Sequence, residues 1–201
     1  MGSVNKDEVD PQPDRHILIA VTGATGMLYV QALLEVCAGM DNLIINGICS
    51  DSGKQVLAME NGLTPEDLPG VSRWFAADDF AAPPASGSSR YDSMIIMPCS
   101  MGTLAAIAGG LTINLIHRSA DVMLKENKNL VLGVRETPLN RTHLQNMLKA
   151  HDAGAIICPP MPSFYLKPTS LEESAKLFSW RVLDQLGIEV SDRKRWGDQD
   201  G

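Results

Sequence analysis

The chain has 201 residues, 44% of them hydrophobic and 20% charged, and a formal net charge of −7. That length and balance suit one globular domain with a sizeable core; the acidic excess argues against a nucleic-acid partner, and no run of 18 apolar residues is present to span a membrane. The four cysteines, Cys37, Cys49, Cys99 and Cys158, are far apart with no CxxC pair, which reads as buried thiols in a reduced cytoplasmic compartment rather than a zinc or redox site.

Residues 1–14 are polar and acidic, with Pro11 and Pro13 and no apolar signal-peptide core, and read as a disordered leader. The run HILIAVT (16–22) reads as a buried strand, and 26–38 follows with helical spacing at Leu33, Leu34 and Cys37. LIINGIC (43–49) is a second strand and 52–60 a short helix. Residues 78–89, rich in Ala, Pro, Gly and Ser, fit no regular pattern, and such a loop in a compact domain is often functional. MIIM (94–97), LVLGV (130–134) and AIIC (155–158) are further strands. Helical stretches fall near 103–108, 118–126, 141–153 and 170–186, the last with Ser170 as N-cap, Glu172 and Glu173 in its first turn and Gly187 as stop. The polar segment 191–201 is a loose tail, which leaves 15–190 as the domain. Continuous apolar strands alternating with helices indicate an α/β fold with a mostly parallel sheet covered on both faces. Ligands in such folds bind beyond the carboxyl ends of the strands.

Six features at or near that edge carry candidate chemistry. Thr22-Gly23-Ala24-Thr25-Gly26 lets a phosphate approach the backbone and the next helix N-terminus; a nicotinamide-binding fold or a plain tight turn would use the same glycines. Ser50-Asp51-Ser52 offers hydroxyls for a phosphate or flavin, an acid for a ribose, or simply a helix N-cap. Pro98-Cys99-Ser100-Met101-Gly102-Thr103 places N–H groups and hydroxyls at a strand end. Arg135 beside Glu136 is a ligand-edge pair or a structural ion pair. Pro159 to Tyr165 is a proline-stiffened loop ending in a phenol. Arg118 and Lys125, two helical turns apart on one face, and Arg181 on the last helix are cations for a phosphate pocket or ordinary solvated charges.

Together these segments resemble the flavin prenyltransferase family, the UbiX group that includes phenolic-acid decarboxylase partner proteins. The likeness spans 16–190 and rests on VTGATG (21–26), ASGS (85–88), MPCSMGTL (97–104), RSADVMLKE (118–126), VRETPL (134–139), PPMPSFY (159–165) and RVLDQLGI (181–188). It implies a flavodoxin-like Rossmann domain, FMN as prenyl acceptor, and dimethylallyl phosphate or diphosphate as donor. It also implies a trimer or dodecamer with sites shared between subunits, and a UbiD-type decarboxylase receiving the product. By this resemblance Gly23, Ala24, Thr25, Ser50, Ser100, Met101, Gly102, Thr103 and Arg135 contact FMN. Arg118, Lys125, Tyr165 and Arg181 hold the donor phosphate, Glu136 moves a proton, and Phe80 lies against the flavin or prenyl group. Three residues depart from the family pattern: Thr25 for serine, Val30 for glycine, and His117 for threonine.

Three other functions compete. An FMN-dependent cysteine decarboxylase shares the fold, but the loop here is PCSMGT rather than its Asn-containing counterpart. A nicotinamide-dependent dehydrogenase would need Tyr-x-x-x-Lys, and none of Tyr29, Tyr91 or Tyr165 has lysine four residues on. A non-catalytic flavin carrier would not need the cations and Glu136.

Overall fold

The computed structural model describes residues 14–190; the expected leader and tail otherwise lie outside it. Its described residues form one parallel sheet of six strands in the order β3-β2-β1-β4-β5-β6. In chain order the elements are β1 (Arg15–Val21), α1 (Met27–Cys37), β2 (Leu43–Cys49), α2 (Asp51–Asn61), β3 (Val71–Phe75), β4 (Ser93–Cys99), α3 (Met101–Ala108), α4 (Leu115–Lys125), β5 (Asn129–Val134), α5 (Arg141–Asp152), β6 (Ile156–Ile157) and α6 (Leu171–Gln185). The order reverses between β1 and β4, so the ligand crevice of this doubly wound sheet is expected where those two strands end.

Alternation along β1 divides the core. Ile17, Ile19 and Val21 face one layer, with Met27, Leu33 and Leu34 of α1, Leu57 of α2 and Phe178, Val182 and Leu183 of α6. Leu18 and Ala20 face the other, with Leu104 of α3, Leu115, Ile116 and Met123 of α4 and Ala150 of α5. Helices α1, α2 and α6 therefore cover one face, and α3, α4 and α5 the other. The crossover from β3 to β4 contains no α-helix. The irregular run expected over 78–89 is there, with a short 3-10 turn at Pro83–Ala85, and its Ala82 and Ala85 lie against the second core.

Several ends move relative to expectation. Strand β3 carries no clear sequence signal, because it is an edge strand with Ser72 and Arg73 exposed. Strand β6 shortens to two residues at the opposite edge. Helix α4 starts three residues early, since Asn114 caps it through His117 N at 3.0 Å and Leu115, Ile116 and His117 are all buried. Ser170 caps α6 as read, accepting from Glu173 N at 3.1 Å.

Gly47 in β2 sits opposite Trp74 of β3. A Cβ there would land inside the van der Waals envelope of the Trp74 ring. Gly47→Ala is therefore expected to push Trp74 off its packing site, destabilising by about 1–3 kcal/mol. Thermal melting should show a midpoint lowered by roughly 2–4 °C per kcal/mol; an unchanged midpoint would mean that Trp74 is not held there.

Candidate active site

The carboxyl ends of β1, β2, β4 and β5 bring the first four loops to one edge. Gly23 follows β1 directly. A Cβ at Gly23 would stand 2.5 Å from both Cβ and Oγ of Ser52, so glycine alone lets the β1 loop lie against the start of α2. Ser50 caps α2, accepting from Gly53 N at 3.0 Å, and its hydroxyl pairs with that of Ser52 at 3.2 Å. Ser100 caps α3 in the same manner, accepting from Thr103 N at 3.3 Å and donating to Thr103 Oγ1 at 3.1 Å. The N-cap alternative weighed for Ser50 is thus realised, and the same geometry aims the free N–H groups of α2 and α3 at the crevice. Both helices therefore offer polarised donors to an anion or an acceptor-rich ring.

Helix α1 behaves differently. Its N-cap, Gly26, has φ 105° and no side chain to cap with. Glu60, from the last turn of α2, supplies the cap: its carboxylate accepts from Gly26 N and Met27 N, both at 2.9 Å. Burial opposes ionisation of Glu60, but the bonds from the Thr25 hydroxyl and from Met27 and Gly26, with the charge of Arg135, outweigh it and hold the carboxyl below its usual range. An anion at this edge is therefore served by α2 and α3 rather than by α1. Glu60 was not legible in the sequence; it lies 34 residues from Gly26 on an exposed helix turn.

Arg135 leaves β5 with its N–H on the Cys99 carbonyl at 3.1 Å, half-buried beside the β4 loop. The Arg135–Glu136 ion pair held open from sequence is not formed. Glu136 is exposed, and its carboxylate accepts from Thr137 N at 2.9 Å.

The donor-pocket candidates are not gathered in one place. Arg181 projects from α6 and Tyr165 from a short turn at Phe164–Leu166; both are more than half exposed. Burial raises the pKa of the Cys158 thiol, seven residues before Tyr165, and the charge of Arg181 opposes the rise. Phe178, one turn before Arg181, packs edge-to-face on Tyr29 of α1 with centroids 5.4 Å apart. This contact ties α6 to the helix that follows the glycine loop.

Arg118 and Lys125 lie across the sheet on α4. Arg118 is no freely solvated charge: Nε donates to Ala85 O at 3.0 Å and Nη1 to Asp121 at 2.8 Å. Lys125 pairs with Glu126 beside Gly87. The ASGS segment (85–88) thus runs along α4 from Arg118 to Lys125. Seven residues of helix separate the two cations by about 10 Å along the axis. That offset carries Lys125 toward the amino ends of the strands, where neighbouring Lys128 reaches Ser89 O at 3.3 Å. Phe80, half exposed, is in the same β3–β4 crossover.

The sequence departures are absorbed locally. Thr25 keeps a hydroxyl, spent on Glu60. Val30 is fully buried in the α1 layer. His117 is buried with Nδ1 unpartnered, and desolvation lowers its pKa, so it is a neutral packing residue. The described residues contain no His/Cys/Asp/Glu group able to hold a metal ion, and no helix among them is long and apolar enough to cross a membrane.

A Rossmann-ordered α/β sheet with capped helix N-termini around its switch point defines a nucleotide- or flavin-binding protein. Residues 5–186 match the Flavoprotein family model. The chain is 42% identical to the flavin prenyltransferase UbiX of Methanocaldococcus jannaschii over 90% of this chain and 98% of that protein. It is 40% identical to the Pseudomonas aeruginosa flavin prenyltransferase UbiX over 93% and 96% of the two chains. Among solved structures, a UbiX protein in complex with FMN and dimethylallyl pyrophosphate superposes with TM-score 0.88 at 40% identity, covering 93% of this chain and all of that one. A dodecameric FMN-dependent UbiX-like decarboxylase from Escherichia coli O157:H7 gives 0.86 at 38%, over 90% and 98% of the two chains. The chain belongs to the flavoprotein family and, within it, to the UbiX flavin prenyltransferases.

Proposed function

We propose that this chain joins a dimethylallyl group from dimethylallyl phosphate or diphosphate to N5 and C6 of reduced FMN, making prenylated FMN for a UbiD-type decarboxylase. The observation that carries the reading is the crevice at the β1/β4 switch point. There the Gly23 turn, the capped N-termini of α2 and α3 and Arg135 converge on one edge. These groups fit a flavin phosphate and an acceptor-rich ring, with Gly23, Ala24, Thr25, Ser50, Ser100, Met101, Gly102, Thr103 and Arg135 holding them.

Reduced FMN supplies the nucleophilic nitrogen and ring carbon. The protein's part is electrostatic. As the donor C–O bond breaks, the electron pair leaves with phosphate; Arg181 would stabilise that growing charge while Tyr165 donates a hydrogen bond, with Arg118 and Lys125 of α4 supplied by a neighbouring subunit. N5 and C6 each give up a proton, the donor's double bond takes one up at its middle carbon as the second bond forms, and the other leaves with the phosphate; Glu136, exposed and free of an arginine partner, is the group that moves a proton, with the departing phosphate as the alternative base.

Arg181 and Arg118 stand on helices that cover opposite faces of the sheet, and a pocket shared between subunits would bring one of each to a single phosphate. This supports a homo-oligomer, trimeric or dodecameric, as the working form. Four free thiols support a reducing, cytoplasmic setting; a relative 39% identical, over 96% of this chain, is a mitochondrial flavin prenyltransferase of Saccharomyces cerevisiae. A titration with FMN, FAD and NAD tests the cofactor assignment. Saturable FMN uptake is expected, and tight NAD binding without FMN uptake would overturn it.

A further inference from the structure

Thr22 stands between the last residue of β1 and the Gly23 turn, and it is 2% exposed. The β1–β4 ladder runs from Ile17↔Ser93 to Ala20↔Ile96 and stops there. Past that point the two strands are joined through Thr22. Its N–H donates to Pro98 O at 3.3 Å, and its hydroxyl donates to the same carbonyl at 2.7 Å. The hydroxyl also accepts from Ser100 N at 2.9 Å. One side chain thus ties the residue preceding the glycine turn to the residue that caps α3. Its one proton is spent on the protein main chain and is not offered to a ligand.

We infer that Thr22 is a positioning residue of the flavin site, its hydroxyl fixing the spacing between the 23–26 loop and the 100–103 loop. The inference rests on the reading that these two loops hold FMN. The β-branched side chain suits the role, because its χ1 is stiff and holds the hydroxyl in one direction. The bond to Pro98 is buried and that from Ser100 part-buried, so removing the hydroxyl costs the Ser100 N–H this acceptor and leaves the Pro98 carbonyl with the longer bond from Thr22 N. The crevice can then relieve the loss by letting the loops part, which a ligand spanning both would register.

The test compares Thr22→Val, which keeps the shape, with Thr22→Ser, which keeps the hydroxyl, and Thr22→Cys, whose thiol bonds weakly. Val131→Ala serves as a control that removes buried methyls from β5 without touching either loop. Flavin titration, melting temperature, and kcat and KM for the donor are measured on each full-length protein. Thr22→Val is expected to bind FMN about tenfold more weakly, with kcat at saturating FMN and donor KM close to wild type. Thr22→Ser should retain FMN affinity and Thr22→Cys fall between. Val131→Ala should lose melting temperature yet keep FMN affinity. Should Thr22→Val fail to fold, the Cys-to-Ser comparison carries the same test. Unchanged FMN affinity in Thr22→Val or Thr22→Cys overturns the inference, as does an equal loss in Thr22→Ser or in the destabilised control. A wild-type protein that takes up no FMN overturns the underlying functional reading instead, and is seen before any variant is made.

Discussion

Arg181→Ala is expected to lose prenyl transfer while still binding FMN. The guanidinium lies on α6, where its charge acts on the Cys158 thiol, and none of the flavin-loop hydrogen bonds involves it. Its helix packs on α1 through buried Phe178, Val182 and Leu183. The arginine itself is more than half exposed, so the fold does not depend on its charge. Removing one charge-assisted contact to a developing phosphate in a preorganised site costs about 2–4 kcal/mol, or roughly 30- to 1,000-fold in rate. Tyr165→Phe should act in the same direction through the lost hydroxyl. Donor-dependent conversion of reduced FMN, read alongside a flavin titration, separates the two effects. Near-normal turnover in both variants would place the phosphate elsewhere, and lost FMN binding in Arg181→Ala would assign that arginine to the flavin or to the fold.

The second large effect is recovery of activity by mixing. Arg118 stands on α4 over one face of the sheet, and Arg181 on α6 over the other. A pocket shared between subunits would take Arg118 from one and Arg181 from another. Arg118→Ala and Arg181→Ala should each be nearly inactive alone. Co-expressed, they should assemble together, and about a quarter of the sites would then draw an intact arginine from each of two subunits. A site built within one subunit would give no such recovery. Turnover per site in tandem-tagged mixed assemblies measures this; values no higher than those of the separate variants would contradict a shared pocket.

Much of this arrangement is legible in the sequence, and the reasons are physical. Strands β1, β2, β4 and β5 are covered on both faces, so each shows as a continuous apolar run, and their loops mark the edge where ligands bind. Strand β3 did not show, because an edge strand buries little; Val71 and Trp74 are half covered and Ser72 and Arg73 are exposed. Of the two serines read as either N-cap or ligand contact, Ser50 is the cap of α2; Ser100, read only as a ligand contact, caps α3, and capping is what directs both helix ends at the crevice. The capping role of Glu60 and the bridging role of the Thr22 hydroxyl are not legible for a different reason. Their partners, Gly26 and Ser100, lie 34 and 78 residues away, and only the packing of α2 beside the glycine turn and of β1 beside β4 brings them together. The shared helical face of Arg118 and Lys125 followed from their spacing. That Arg181 stands on the opposite side of the sheet follows only from the path of the chain after β6.

The most direct measurement is mass spectrometry of the flavin after anaerobic incubation of the protein with reduced FMN and either dimethylallyl phosphate or the diphosphate. The account predicts that the flavin gains one dimethylallyl unit with wild-type protein, and that the gain is largely lost with Arg181→Ala. Bound FMN recovered unchanged with both donors, together with decarboxylation of a thiol-bearing cysteine substrate, would contradict it.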